Sequence, residues 1–174
     1  MSQLGNRFKD ETLTQTALGT EIKISQASLA ASWRRSSSFG LDPNGKPVDA
    51  VKSETEFLEI TQKNEYIKQF VAPELELLYN QIAGTNFMVA YADSSGVVLD
   101  ALLDEEFKTS DAGRAVIPGS IWTENYRGTN AVGLCLHTGT SQIVAGRNPF
   151  FSKIRRSFLL CSADIWPKQR NCGH

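Results

Sequence analysis

Between Pro118 and Gly133 the chain reads PGSIWTENYRGTNAVG, the densest cluster of chemically distinct groups in the sequence. Its three glycines, Gly119, Gly128 and Gly133, allow close approach of the backbone to a bound molecule. Trp122 offers a flat apolar wall. Glu124 can accept hydrogen bonds from a ligand, or pair with Arg127 at i+3, an exposed pair worth about 0.5 kcal/mol or less. Thr129 and Asn130 stand at the start of a helix pattern, where backbone N–H groups already point outward. Capping that helix and offering polar groups to a ligand are compatible roles for them. A mostly apolar lining with a few convergent polar groups is how small-molecule pockets are assembled. Tyr91 and Phe87 can face the same pocket from a neighbouring strand, although alternate strand residues fill cores by default.

Other chemistries lack their parts. His137 is the only internal histidine, so neither a Ser/His/Asp set nor a paired-acid site is credible, and no catalytic residue is assigned. Cys135, Cys161 and Cys172 are odd in number, widely spaced and without a CxxC pair, so no metal site and no cofactor is expected. Cys135 falls in an apolar helix and Cys161 in an apolar strand, which predicts inert thiols packed as small apolar groups.

The elements that must hold these residues follow from periodicity. Residues 1–24 are polar and aperiodic and read as a flexible lead-in. Ser25 caps a short helix running through Trp33-Arg34-Arg35-Ser36, and Leu41-Asp42-Pro43-Asn44-Gly45-Lys46-Pro47 is a loop. The longest periodic segment runs from Ser53 to Ala83. Phe57, Ile60, Asn64, Ile67, Val71, Leu75, Leu78 and Ile82 form one stripe at spacings of three and four, broken in character by Asn64. Ser53 with Glu56 makes a capping box, and Pro73 is expected to kink or divide the helix at Val71-Ala72. The period then changes to that of strands. Phe87–Ala92 and Val97–Leu102, joined by Asp93-Ser94-Ser95-Gly96, read as a β-hairpin. Residues 104–116 read as loose helix or loop. Ala131–His137 is a short helix closed by Gly139, and 141–145 and 158–163 are strands. Helices segregated from an antiparallel sheet define an α+β fold.

Several of these segments together resemble a known family. Gly119-Ser120-Ile121-Trp122-Thr123-Glu124, Gly128-Thr129-Asn130-Ala131-Val132-Gly133 and Leu160-Cys161-Ser162-Ala163 resemble the GAF sensor domain found at the N-terminus of bacterial enhancer-binding transcriptional activators of the acetoin-catabolism regulator type. Ser32-Trp33-Arg34-Arg35-Ser36, Gly40-Leu41-Asp42-Pro43, the Pro73–Tyr79 helix segment and the Ala92–Leu99 hairpin match further family patterns in the same order. The resemblance spans about residues 22–163 and implies a GAF-like antiparallel sheet flanked by helices, with an N-terminal helical arm. It implies a domain division of 1–52 as lead-in and short helix, 53–165 as the GAF-like domain and 166–174 as an irregular basic tail. The ligand-binding set it implies is Trp122, Glu124, Thr129, Asn130, Tyr91 and Phe150. Phe150 enters with a departure: the family often has Glu-His-Phe where this chain has Asn148-Pro149-Phe150. A second departure lies after Ala163, where the family continues into another strand and this chain runs Asp164-Ile165-Trp166-Pro167 into a basic end. A truncated domain lacking its last sheet strand, even a fragment without function of its own, is therefore also an expectation.

Charge and composition narrow the partners. The chain has 174 residues, a net charge of −1 and 41% hydrophobic residues, so neither wholesale disorder nor a dedicated nucleic-acid-binding module is expected. The six basic residues from Arg147 onward face Asp164 alone, which a solvated helix face and a terminal tail explain without an anionic partner. Trp33-Arg34-Arg35 could stack a base and contact phosphate, but no wider basic face supports it. No apolar run reaches the roughly 20 residues of a membrane span, and the N-terminus has no secretory signal. The expectation is a cytoplasmic, non-enzymatic, small-molecule-sensing regulatory domain, with a possible homodimer through the 54–82 helix and neither membrane nor nucleic-acid contact. The alternative is a thiol-dependent redox enzyme, since some GAF-like proteins reduce methionine sulfoxide.

Overall fold

A computed structural model describes residues 14–17, 20–23, 25–85, 87–145, 148–152 and 158–161. The expected strand at 158–163 is described as far as Cys161. The basic tail and the end of the family pattern lie outside the described residues.

The described chain is α+β, in the order β1 (Thr14–Ala17), β2 (Thr20–Lys23), α1 (Gln26–Ser38), α2 (Glu54–Ile82), β3 (Met88–Ala92), β4 (Val98–Leu103), α3 (Glu105–Lys108), α4 (Asp111–Ala115), α5 (Glu124–Arg127), α6 (Ala131–Thr138), β5 (Gln142–Ala145) and β6 (Phe158–Cys161). The strands pair as three two-stranded antiparallel ribbons, β1–β2, β3–β4 and β5–β6, where the sequence led us to expect one sheet. Two strands, β1 and β2, fall inside the segment read as a flexible lead-in. They pair antiparallel from Thr14 opposite Lys23 to Ala17 opposite Thr20, and their β-branched Thr14, Thr16, Thr20 and Ile22 are strand formers that the polar composition had masked.

Packing divides the chain into two compact units. One combines described residues up to Gly45 with those from Gly128 onward, and the other is Lys46–Arg127. In the first, α1 packs on α6, which packs on β5 and β6. Leu29 of α1 and Ala131 and Leu134 of α6 are fully buried there.

In the second unit α2 packs on the β3–β4 hairpin. Its N-terminus is a complete capping box: the Glu56 N–H donates to Ser53 Oγ, and the Ser53 N–H donates to Glu56 Oε2 at 3.0 Å. The eight-residue stripe is the packed face, with Val71 and Leu75 buried and the other six half-buried. Asn64 is accommodated because its side-chain amide donates to the Ile60 carbonyl at 2.9 Å. Pro73 does not divide the helix, which runs unbroken from Glu54 to Ile82. Pro73 lies on the exposed side, where the carbonyl its ring displaces can turn to water instead of being orphaned in the core. Asp104 secures the far end, accepting from the Tyr79 hydroxyl at 2.8 Å and the Gly84 N–H at 3.0 Å.

The segment read as loose helix or loop, 104–116, is two short helices. The second is capped by Ser110, whose Oγ accepts from the Gly113 N–H at 3.0 Å.

Candidate functional site

The six ligand-binding candidates fall three to each unit. Tyr91, Trp122 and Glu124 belong to the Lys46–Arg127 unit, and Thr129, Asn130 and Phe150 to the other.

In the Lys46–Arg127 unit the segment 119–122 is a middle rail. On one side the Gly119 N–H donates to the Val98 carbonyl at 2.8 Å and the Trp122 N–H to the Gly96 carbonyl at 2.8 Å. On the other, Lys52 N–H donates to Gly119 O and Ile121 N–H to Ala50 O, both at 2.9 Å. Trp122 is thereby fixed, and its indole N–H donates to Ser120 Oγ at 3.2 Å. Arg127, from α5, lies with its guanidinium carbon 4.9 Å from the centre of the Trp122 ring, a cation–π contact. Its ion pair is with Asp49 at 2.9 Å, and it also donates to the Ala115 carbonyl at 3.3 Å. Its Nε–H is buried without a hydrogen-bond partner. Burial holds its pKa below the ordinary value, against the opposing pull of Asp49. Glu124, on the same turn of helix, is buried. Tyr91 is half-buried on β3 opposite Asp100; burial, then the charge of Asp93, raises its phenol pKa.

In the other unit three sequence patterns meet. Thr129 is fully buried, and its Oγ1 accepts from Ser32 Oγ at 2.8 Å. Ser36 Oγ lies 3.3 Å from the same atom and donates to the Ser32 carbonyl at 2.9 Å. Asn130 caps α6, its Oδ1 accepting from the Gly133 N–H at 2.9 Å while its Nδ2 donates to the Gly128 carbonyl at 2.8 Å. The Phe150 N–H donates to the Thr129 carbonyl at 3.2 Å. The Phe150 ring sits 4.9 Å from Trp33 and 5.3 Å, edge-on, from Phe151. The Trp33 indole N–H donates to the Asn148 carbonyl at 2.8 Å. Gly128, at φ +61°, lies flush against Phe150: a Cβ there would come within 2.6 Å of the Phe150 Cβ.

Trp33 is therefore an interior residue, and its buried ring offers no platform for the base stacking that Trp33-Arg34-Arg35 could have suggested and that the sequence had already disfavoured. Ser32 and Ser36 were missed. Two serines on a Ser/Ala helix look like a solvated face, and the available signal was their i, i+4 spacing on the side that carries Leu29 and Trp33. Cys135 is buried, as expected of an inert thiol. The described residues contain no group of histidine, cysteine and carboxylate able to hold a metal ion. No described helix is long and apolar enough to cross a membrane.

A buried hydroxyl cluster thus sits beside an aromatic nest on an α+β frame. No family model matches the chain. Its homologues are nevertheless transcriptional regulators. It is 31% identical over 146 residues, 83% of this chain, to the acetoin dehydrogenase operon transcriptional activator AcoR of Bacillus subtilis. It is 28% identical over 114 residues, 65% of this chain, to the acetoin catabolism regulatory protein of Cupriavidus necator. It is 27% identical over 134 residues, 77% of this chain, to a signal-transduction and transcriptional-control protein of Clostridium beijerinckii. The chain spans only 23%, 17% and 21% of these three relatives, respectively. In fold it is similar to a chain of the E. coli DhaR(N)–DhaL complex, with a TM-score of 0.68 and 16% identity over 74% of this chain and 43% of that one.

Proposed function

We propose that the chain is a GAF-type sensor domain of a bacterial transcriptional regulator, and that it binds a small oxygen-bearing effector. The observation that carries this reading is the buried set Ser32, Ser36 and Thr129, whose hydroxyls join α1 to the Gly128-Thr129-Asn130 segment. In a low-dielectric interior such a cluster can be joined or displaced by a molecule bearing its own hydroxyl or carbonyl. A ligand that does so favours one disposition of α1 over another, which is a population shift. A tenfold difference in affinity between the two dispositions is about 1.4 kcal/mol, enough for a modest switch. Two of the relatives are named for acetoin, a small hydroxyketone, and that chemistry matches the cluster.

Thr129, Asn130 and Phe150 are the candidate ligand contacts in this unit. Trp122, Glu124 and Tyr91 are candidates in the other unit, where a flat indole and a buried carboxyl would serve an aromatic or hydroxylated ligand. The output is taken to be transcription, through segments of a longer protein of the kind the relatives represent.

The test is thermal stability across a panel of small diols, ketones and aromatics. One class should raise the transition temperature of the wild-type chain, and Thr129→Val should abolish that rise for a ligand of the hydroxyl cluster. A folded protein that no member of the panel stabilises defeats the proposal.

A further inference from the structure

Arg127 is a buried cation with an incomplete set of partners. It is 4% exposed, and its Nε–H donates to nothing. One terminal nitrogen reaches the Ala115 carbonyl at 3.3 Å, a long bond to a neutral acceptor. Its counter-charge among the described residues is Asp49, through Oδ1 at 2.9 Å. The Asp49 side chain is 77% exposed, so this contact joins an interior guanidinium to solvent. A buried charge is costly unless it is paired and hydrogen-bonded, and one exposed carboxylate compensates it poorly.

Asp49 can leave without the backbone moving. The Val48 N–H donates to the Tyr126 carbonyl at 3.0 Å, and the Ala50 carbonyl accepts from the Ile121 N–H at 2.9 Å. The Ala50 N–H donates to the Val48 carbonyl at 2.9 Å, closing a tight turn around Asp49. The chain is therefore tied on both sides, and a change of side-chain rotamer alone swings the carboxylate from Arg127 into water. The Trp122 indole lies over one face of the guanidinium, whose carbon is 4.9 Å from the ring centre. The approach that stays in contact with solvent is the edge where Asp49 stands.

We propose that Arg127 anchors a site for a small monocarboxylic acid, whose carboxylate takes the place of the Asp49 side chain. A planar carboxylate binds a guanidinium edge-on, through two parallel N–H···O bonds. Asp49 is constrained by its turn, whereas a free acid orients itself to make both. Charge selects a monoanion: Arg127 brings one positive charge, and the displaced Asp49 carboxylate stays on the same turn, where it repels a doubly charged phosphate or sulfate. The site rests on the reading of the chain as an effector-binding domain, and it gives the Lys46–Arg127 unit a ligand class of its own.

Titration of the whole chain with sodium acetate and sodium propionate tests this, against sodium chloride at equal ionic strength and against neutral acetamide. The NMR signals of the Arg127 Nε–H and the Trp122 indole N–H report binding, with the transition temperature beside them. Both acids should move these signals saturably, with a Kd on the order of 1–10 mM for so small a ligand. Asp49→Ala, which removes the internal competitor from an exposed position, should tighten binding about tenfold. Arg127→Met keeps an apolar stem against Trp122 and should abolish the response of the indole signal and of the transition temperature; far-UV circular dichroism checks its fold. Thr129→Val should leave the carboxylate response intact, so the hydroxyl-cluster ligand and this one fail separately. A wild type whose Arg127 signal neither acid moves overturns the proposal. So does chloride or acetamide acting as strongly as acetate, binding that Asp49→Ala leaves unchanged, or an equal response in Arg127→Met.

Discussion

Gly128→Ala and Gly139→Ala separate two costs that are usually confounded. Both glycines are left-handed, at φ +61° and +65°, and belong to the same unit. An alanine pays about 1 kcal/mol for that backbone conformation at either position. At Gly139 nothing lies within 4 Å of the added methyl, so the cost ends there. At Gly128 the methyl would sit 2.6 Å from the Phe150 Cβ and 2.9 Å from its ring. Phe150 cannot swing aside, because it is fully buried between Trp33 and Phe151. Overpacking of this kind adds about 1–3 kcal/mol, making about 2–4 kcal/mol for Gly128→Ala. For a chain of this size each kcal/mol lowers the transition by about 2–4 °C, so Gly139→Ala should lose about 2–4 °C and Gly128→Ala clearly more. Calorimetry and urea titration of both variants measure the difference. Equal losses, within about 0.5 kcal/mol, would refute the claim that Phe150 is rigidly pressed onto Gly128.

Thr129→Val keeps the shape but removes the oxygen that accepts from the Ser32 hydroxyl, and should cost about 0.5–1.5 kcal/mol in urea unfolding, with Thr129→Ser milder. Glu56, tied to Lys52 and Ser53, has its pKa lowered from 4.5 to about 2. Its capping contribution is therefore complete above pH 4.5 and fades as the pH falls toward 2; amide exchange at the start of α2 should accelerate over that window, and Glu56→Gln should flatten the response. Cys135 should resist a thiol reagent in the native protein and react at the rate of unfolding, which mass spectrometry of the labelled peptide would read.

The long helix was legible because its stripe is local: a period of 3.6 needs only the sequence of α2 itself, and every stripe residue proved at least half-buried. The middle rail at 119–122 was not legible, since it shows no alternation. Its extended backbone is imposed from both sides by 50–52 and 96–98, partners far away in sequence. Of the candidate contacts, Thr129 and Asn130 were visible as a helix start, and Asn130 does cap α6. Their link to α1 was not visible, because hydroxyl–hydroxyl pairing across 97 residues leaves no periodic trace. Helical spacing pointed from Arg127 to Glu124; the ion pair of Arg127 with Asp49, a residue of the connecting loop, is one that no short-range rule brings near.

The unit Lys46–Arg127 begins and ends at the same place. The Val48 N–H donates to the Tyr126 carbonyl at 3.0 Å, and one residue further on each side Asp49 pairs with Arg127. The unit is thus an insertion with a clasped neck. A pull applied between Val48 and Arg127 is met first by this hydrogen bond and ion pair, and then by the bonds that tie 50–52 to 119–121, before it reaches α2 and its hairpin. The same closure makes residues 46–127 a natural excision: a short glycine bridge from Gly45 to Gly128 would remove the insert without cutting any strand or helix of the host unit.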